Sequence, residues 1–243
     1  MATASAISSQ IVDAVLSQRL APATRMGEQD LAALFGCSRT IVREALVELS
    51  ARGIANVSPR RGWYLTEVDT AKARELYIAR EIIETGLLRD LGRRNKVLDR
   101  AALDRIAQHL ETQSIAVAGN DIPHRSYLLG DFHVCLANCL GNSVLAGYLR
   151  DLTVLTTLYT VRYQTPGDAQ RSYDEHVAVF DALVRGDAEG AAVAMRRHLS
   201  TWEEKVHLAH APDPLAQLRS ALTPRATLRR EGSALVGGAG KEG

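Results

Sequence analysis

Apolar residues recur at helical spacing over two short stretches near the N-terminus. In the first, Glu28 to Leu34, Leu31 and Leu34 share one side, and Gly36 then permits a tight turn that a continuing helix forbids. Ser38 can cap a second helix, in which Ile41 or Val42, Ala45, Leu46 and Leu49 form the core-facing stripe. Gly53 ends this helix just after Arg52. The period then becomes alternating: Ile54 to Ser58 and Trp63 to Val68 read as short strands around Pro59, Arg60, Arg61 and Gly62. Helical periodicity returns at Ala71. Five or six helices trace at about 70–94, 99–118, 122–140, 142–164, 170–186 and 188–210, separated by Gly119-Asn120, Gly141-Asn142, Pro166-Gly167 and Gly186-Asp187.

These patterns predict a mainly α protein. A winged helix-turn-helix with a small β-hairpin wing occupies residues 1–69, and an all-α helical bundle occupies residues 70–210. Residues 211–243 carry Pro212, Pro214, Pro224 and a glycine-rich end, a composition that buries too little apolar area to offset ordering entropy. A disordered tail is expected there, with one loose helical turn near Leu215 to Leu222.

The polar face of the second helix gives the N-terminal part its chemistry. Arg39, Thr40 and Arg43 fall opposite the apolar stripe, where a helix lying in a DNA major groove presents side chains to base edges and phosphates. Arg60 and Arg61 sit at the tip of the wing, which can follow a minor groove. Between Gly36 and Tyr64 five arginines (Arg39, Arg43, Arg52, Arg60, Arg61) face only Glu44 and Glu48, whereas the whole chain carries a net charge of +1. A focused patch of this kind needs a homodimer to collect enough phosphate contacts on double-stranded DNA.

Composition narrows the setting. The chain has 243 residues, 46% of them hydrophobic, enough for two domains. It has no apolar run of membrane-spanning length, and the start MATASAISSQ lacks the basic and apolar regions of a secretion signal. Cys37, Cys135 and Cys139 are odd in number and lie in apolar helical patterns, which favours buried thiols over disulfides and a cytoplasmic setting.

Several polar residues fall on helix faces that should be buried. His133 shares a face with Leu129, Leu136, Ala137 and Leu140; His176 with Val179, Phe180 and Leu183; His198 with Ala191, Ala194, Met195 and Trp202. Three inward imidazoles from three helices suit a divalent metal ion such as zinc, or hydrogen-bonded core histidines. Cys135 and Cys139 lie about 200° and 240° around the helix from His133, away from such a site. Arg80 sits among Leu76, Tyr77, Ile83 and Leu87, and its guanidinium needs a partner: Glu84 one turn on, or a carboxylate of a small effector. On the helix from Asn142, Leu145, Leu149, Leu152, Thr156, Tyr159 and Tyr163 form one stripe, in which Thr156 and Tyr159 are either walls of an effector pocket or ordinary core hydroxyls.

The segment SRTIVREAL, preceded by EQDLA and followed by PRRG, resembles the GntR family of bacterial transcription regulators. DFHVCLANCLGN and DEHVAVFDALVRGDAEGAAVAMRRHL resemble the FCD effector domain of its FadR-like branch. The first resemblance implies DNA contacts at Arg39, Thr40, Arg43 and Gly62, with Gln29 reaching phosphate. The second implies a metal on His133, His176 and His198 with an Asp four residues before the first of them, where this chain has Leu129. Asp131 stands about 200° from His133 and does not replace it. The segment AREIIETGLL matches the stretch whose Arg, here Arg80, contributes to the effector pocket. Ala23 and Ile41 replace a usual Gly and Pro. Together these imply a metabolite-responsive repressor binding an operator. A metal-dependent hydrolase on the three histidines is the alternative, but no HExxH or GxSxG motif accompanies them.

Overall fold

Short polar side chains set where the helices begin. In a computed structural model, describing residues 2–59, 62–94, 96–160 and 166–201, the hydroxyl of Thr3 accepts from the amide of Ala6 and opens α1 (Ala4–Leu16). Gly27 precedes α2 (Glu28–Phe35), and Ser38 accepts from Ile41 N at the start of α3 (Arg39–Ala51). Asp69, Asp99, Asp121 and Asp187 cap α4 (Thr70–Arg93), α5 (Arg100–Ala118), α6 (Ile122–Cys139) and α9 (Ala188–Ser200). Asn142 Oδ1 accepts from Leu145 N beneath α7 (Ser143–Thr160). Helix α8 (Pro166–Val184) begins four residues earlier than its apolar stripe indicates, because proline lacks only an N–H that the first helical turn leaves unsatisfied anyway.

The turn between α2 and α3 rests on Gly36 at φ +60°, and Gly53 at φ +73° closes α3. Strands β1 (Ala55–Ser58) and β2 (Gly62–Leu65) pair antiparallel with Ala55 opposite Leu65. They are shorter than the alternating pattern suggests, although Thr66 N still donates to Ile54 O at 2.9 Å, and the Thr66 hydroxyl donates to Gly53 O and accepts from Asn56. The chain at Ala23–Met26 adds an outer edge, with Met26 N donating to Trp63 O and Leu65 N to Thr24 O.

Helix α1 is an addition to the expected elements. Its stripe Ile7, Ile11, Val12, Val15 and Leu16 is buried in one cluster with Val42, Ala45, Leu46 and Leu49 of α3, Leu76 of α4 and Val154, Leu158 and Tyr159 of α7. Around a second cluster, Ile106, Phe132, Leu136, Val179, Leu183 and Met195 join α5, α6, α8 and α9. Polar ties reinforce the first cluster. Arg52 beyond α3 donates to Asp151 Oδ1 on α7 at 2.7 and 2.9 Å and to Ser8 on α1 at 3.1 Å, while Arg150 donates to Asp13 at 2.6 Å.

No helix among the described residues is long and apolar enough to cross a membrane. Cys37, Cys135 and Cys139 are free thiols, Cys139 buried and the other two half-buried. The expected sites at Arg60 and Arg61, the stripe residues Tyr163 and Trp202, the predicted helix ends past 160 and 201, and the tail 211–243 lie outside the described residues.

Leu158 is buried where α7 meets α1, so Leu158→Ala removes apolar contacts on both sides and leaves a void. Urea denaturation should show a loss of about 2–5 kcal/mol; an unchanged midpoint would mean the site collapses around the missing atoms.

Candidate nucleic-acid interface and three-histidine site

The turn between α2 and α3 presents Arg39, Thr40 and Arg43 to solvent on one face of α3. Gln29, in the first turn of α2, is also exposed, and Gly62 opens β2 at φ +73°, a conformation glycine adopts without strain. A carboxylate organises the two arginines. Glu28 accepts from Arg43 Nε at 2.9 Å and from its Nη2 at 3.0 Å, and from Arg39 Nη2 at 3.4 Å. The indole N–H of Trp63 on the wing donates to the same carboxylate at 3.1 Å. The Arg43 hydrogen bonds above all, with help from Trp63 and Arg39, hold the Glu28 carboxyl at about 2 despite the opposing cost of burial. Glu28 therefore fixes the arginines relative to both α2 and the hairpin.

The bundle brings His133 of α6, His176 of α8 and His198 of α9 together, with one ligand atom from each within 4.8 Å of the others. Ring centroids lie 4.7–5.1 Å apart. Each ring is held from behind through Nδ1: His133 by Glu84 Oε2 at 2.6 Å, His176 by Gln113 Oε1 at 3.0 Å and His198 by Glu175 Oε2 at 2.7 Å. Acceptors at Nδ1 leave Nε2 as the coordinating nitrogen, the arrangement that orients imidazoles toward a metal. His176 Nε2 is buried and has no hydrogen-bond partner, which a metal would remedy. Burial lowers His133 to about 4, opposed by Glu84, and lowers His176 well below the ordinary range, so both are neutral ligands at neutral pH. The residues present thus fit a divalent cation. Asp131 faces His109 instead, at 3.3 Å, and Leu129 lines the cavity.

A cavity of about 90 Å³ adjoins the cluster, lined by the three histidines, Arg80, Ser126 and threonines of α7. Arg80 is buried and donates through Nε to Glu84 at 3.0 Å and through Nη1 to Thr156 at 2.9 Å, leaving Nη2 without a hydrogen-bond partner. The Glu84 carboxyl lies at about 2; burial pushes it up, but its cationic and hydrogen-bonded neighbours outweigh that, and at neutral pH Arg80 is the standing countercharge. Thr153, Thr156, Thr157 and Thr160 line the cavity, each donating its hydroxyl to a carbonyl of the preceding turn. Tyr159 is not brought to the cavity: it is buried in the first core cluster and its hydroxyl donates to Thr70 at 3.1 Å. Gln18, just past α1, does line it.

Comparison with known proteins decides the family. Residues 75–201 match the FCD domain and residues 3–65 match the bacterial regulatory proteins of the gntR family. The chain belongs to the GntR family, with an FCD domain. This GntR-family regulator is 26% identical over 190 residues to the HTH-type transcriptional repressor RspR of Escherichia coli strain K12, covering 77% of this chain and 81% of that one. It is 29% identical over 216 residues to an HTH-type transcriptional regulator from an unstable DNA locus of Streptomyces ambofaciens, covering 83% and 85%. Its fold matches E. coli McbR/YncC with a TM-score of 0.74 at 19% identity, covering 86% and 98%. The family consists of transcription regulators and not enzymes, and the hydrolase alternative finds no support.

Residues that the sequence pattern did not single out for this regulator's sites are Glu28, Trp63, Gln113, Glu175 and Gln18. Each acts across elements, and no local spacing marks such partners; Glu28 reads only as the first residue of a helix.

Glu28 yields a pH prediction. Its folded value lies below the ordinary 4.5, so its stabilising contribution is fully present above about pH 4.5 and fades as pH falls toward 2. Glu28→Gln should be less stable than wild type at pH 7, and the gap should narrow in denaturation curves below pH 4.5 and close near pH 2. A gap independent of pH would mean the carboxylate charge is irrelevant.

Proposed function

We propose that this regulator is a metabolite-responsive repressor that binds a pseudo-palindromic operator as a cytoplasmic homodimer. Residues 1–69 read the DNA, and residues 70–210 hold a divalent metal ion, zinc by its donor set, together with a small hydroxylated organic acid. The observation that carries this reading is the cavity beside the histidines, into which a partnerless imidazole nitrogen and a partnerless guanidinium N–H are buried. Buried polar atoms without partners are costly unless a ligand supplies them.

In this reading α3 enters the major groove, with Arg39 and Arg43 directed at guanine edges or phosphates and Thr40 beside them. Gln29 and the wing residues Arg60, Arg61 and Gly62 position the domain on the backbone. Two-fold symmetry pairs the recognition helices with matching half-sites. The E. coli relative RspR is a repressor, which supports the sign of regulation.

In the effector domain His133, His176 and His198 hold the cation, and with Leu129 in place of a carboxylate ligand the set is neutral. A bound cation supplies a Lewis-acidic centre for an effector oxygen. Arg80 Nη2 takes a carboxylate oxygen. The threonines have committed their protons to backbone carbonyls, so their oxygens can only accept, which favours an acid that also carries hydroxyl groups. Effector binding that differs by about 1.4 kcal/mol between two protein states changes operator affinity tenfold.

Three outcomes test the proposal. Arg43→Ala should weaken binding to a duplex selected by the wild-type protein by about 1–3 kcal/mol in gel shifts at fixed salt; unchanged affinity removes Arg43 from the contact set. Elemental analysis after zinc loading and gel filtration should give one zinc per wild-type chain and none for His176→Ala, whereas metal-free wild type would falsify the metal site. Hydroxy acids screened against the protein-DNA complex should release the duplex, and Arg80→Lys should abolish that response with operator affinity retained.

A further inference from the structure

A file of polar side chains leaves the rear of the three-histidine site and ends on α1. His176 Nδ1 lies 3.0 Å from Gln113 Oε1, and Gln113 Nε2 lies 2.9 Å from His109 Nδ1. His109 Nε2 lies 3.3 Å from Asp131 Oδ2. The other oxygen of Asp131 faces Arg150 Nη1 at 3.9 Å, and Arg150 Nη2 donates to Asp13 Oδ1 at 2.6 Å. The file runs from α8 through α5, α6 and α7 to α1, the helix packed against α3. Gln113 at its centre is completely buried, and among the described residues these two imidazoles are the partners of its amide.

In one arrangement the direction of every hydrogen bond is set from the Asp131 end. An ionised carboxylate only accepts, so His109 donates through Nε2. A neutral His109 then carries a lone pair on Nδ1, which requires the NH2 group of Gln113 to face it. Oε1 of Gln113 must therefore face His176, and His176 must donate through Nδ1. That leaves the lone pair of His176 on Nε2, the buried nitrogen without a partner in the site. The reverse arrangement turns the Gln113 amide over and moves the proton of each imidazole to its other nitrogen, with no net protonation. It places a proton on His176 Nε2 and a lone pair of His109 against Asp131. Asp131, deprived of its donor, then closes on Arg150 and competes with Asp13 for the guanidinium.

We propose that Gln113 and His109 are positioning residues that couple occupancy of the three-histidine site to helix α1 and through it to the recognition helix. The proposal rests on the metal reading above. The Gln113 amide is the two-state element: one orientation makes His176 able to coordinate and keeps Arg150 on Asp13, and the other does neither. Linkage makes the coupling reciprocal, so DNA bound at α3 biases the histidine site by the same factor.

The test uses the full-length protein, zinc as the metal, and a duplex selected from a random-sequence pool by the wild-type protein. Duplex affinity is measured zinc-free and zinc-saturated, and zinc affinity by competition with a chromophoric chelator. In wild type, zinc should change duplex affinity at least about fivefold. His109→Phe keeps a ring beside Phe132, which His109 meets edge-on at 6.2 Å; it should still bind zinc but shrink the zinc-dependent change to under about twofold. Asp13→Asn, at the far end of the file, should do the same and carries the test if the first variant does not fold. The double variant should lose no more than either single one. Nitrogen NMR of wild type should find the His176 proton shared between both nitrogens in zinc-free protein and on Nδ1 alone once zinc is bound. Wild type that binds zinc without any change in duplex affinity, a His109→Phe protein that keeps the full change, or a His176 proton already wholly on Nδ1 in zinc-free wild type each overturns the coupling while the metal site stands. Wild type that binds no zinc removes both.

Discussion

The apolar stripe of α1 is the constraint on which the rest of the structure depends. Ile7, Val12, Val15 and Leu16 are almost wholly buried, and burying each contributes about 1.5–3 kcal/mol. Neither α3 nor α7 alone covers that stripe; both do, in one continuous cluster. The recognition helix is therefore seated on the same core that supports the helix lining the cavity. A shift of α7 cannot be absorbed by a slack connection, because close-packed interiors transmit displacement. The Arg52 bond to Asp151 and the Arg150 bond to Asp13 add direction to this packing, since they fix the helices along their length as well as across it.

The second requirement is electrostatic. Glu84 is completely enclosed, and an ion in such surroundings costs several kcal/mol unless it is matched. Arg80 matches its charge and His133 occupies its second oxygen, so one carboxylate sets the orientation of both a guanidinium and an imidazole of the three-histidine cluster. A hydrophobic replacement of similar volume would pack more cheaply. That this chain keeps three imidazoles, a guanidinium and a carboxylate in the bundle interior accords with a place where ligands are received.

The sequence was most legible where periodicity and caps agree. The stripe Val42, Ala45, Leu46 and Leu49 with Ser38 before it defines α3, and its complement defines the exposed arginines. Inward spacing also marked His133, His176 and His198, because a helix face that is otherwise apolar makes a polar residue conspicuous. Legibility ended where a role depends on a neighbour remote in the chain. The open question over Arg80 had only half a local answer: Glu84 one turn on takes its Nε, whereas Thr156 on a remote helix takes Nη1 and one N–H is left over. Tyr159 shares the stripe of Thr156 yet turns to Thr70, a difference of less than one helical turn that only packing decides. Helix α1 went unrecognised because its apolar residues are interspersed with Ser and Ala, which fit a loop or a helix equally well.

The Glu28 clamp has a consequence for discrimination. Because Arg39 and Arg43 already have an anionic companion at home, the proposed contact with a duplex is an exchange of companions and not a gain of one. Stray polyanions offer little advantage over the carboxylate they displace, so loose adhesion to the bulk of the chromosome is penalised more than docking at a site that engages both guanidiniums at once. On the proposed contacts the clamp trades absolute tightness for a steeper difference between right and wrong addresses.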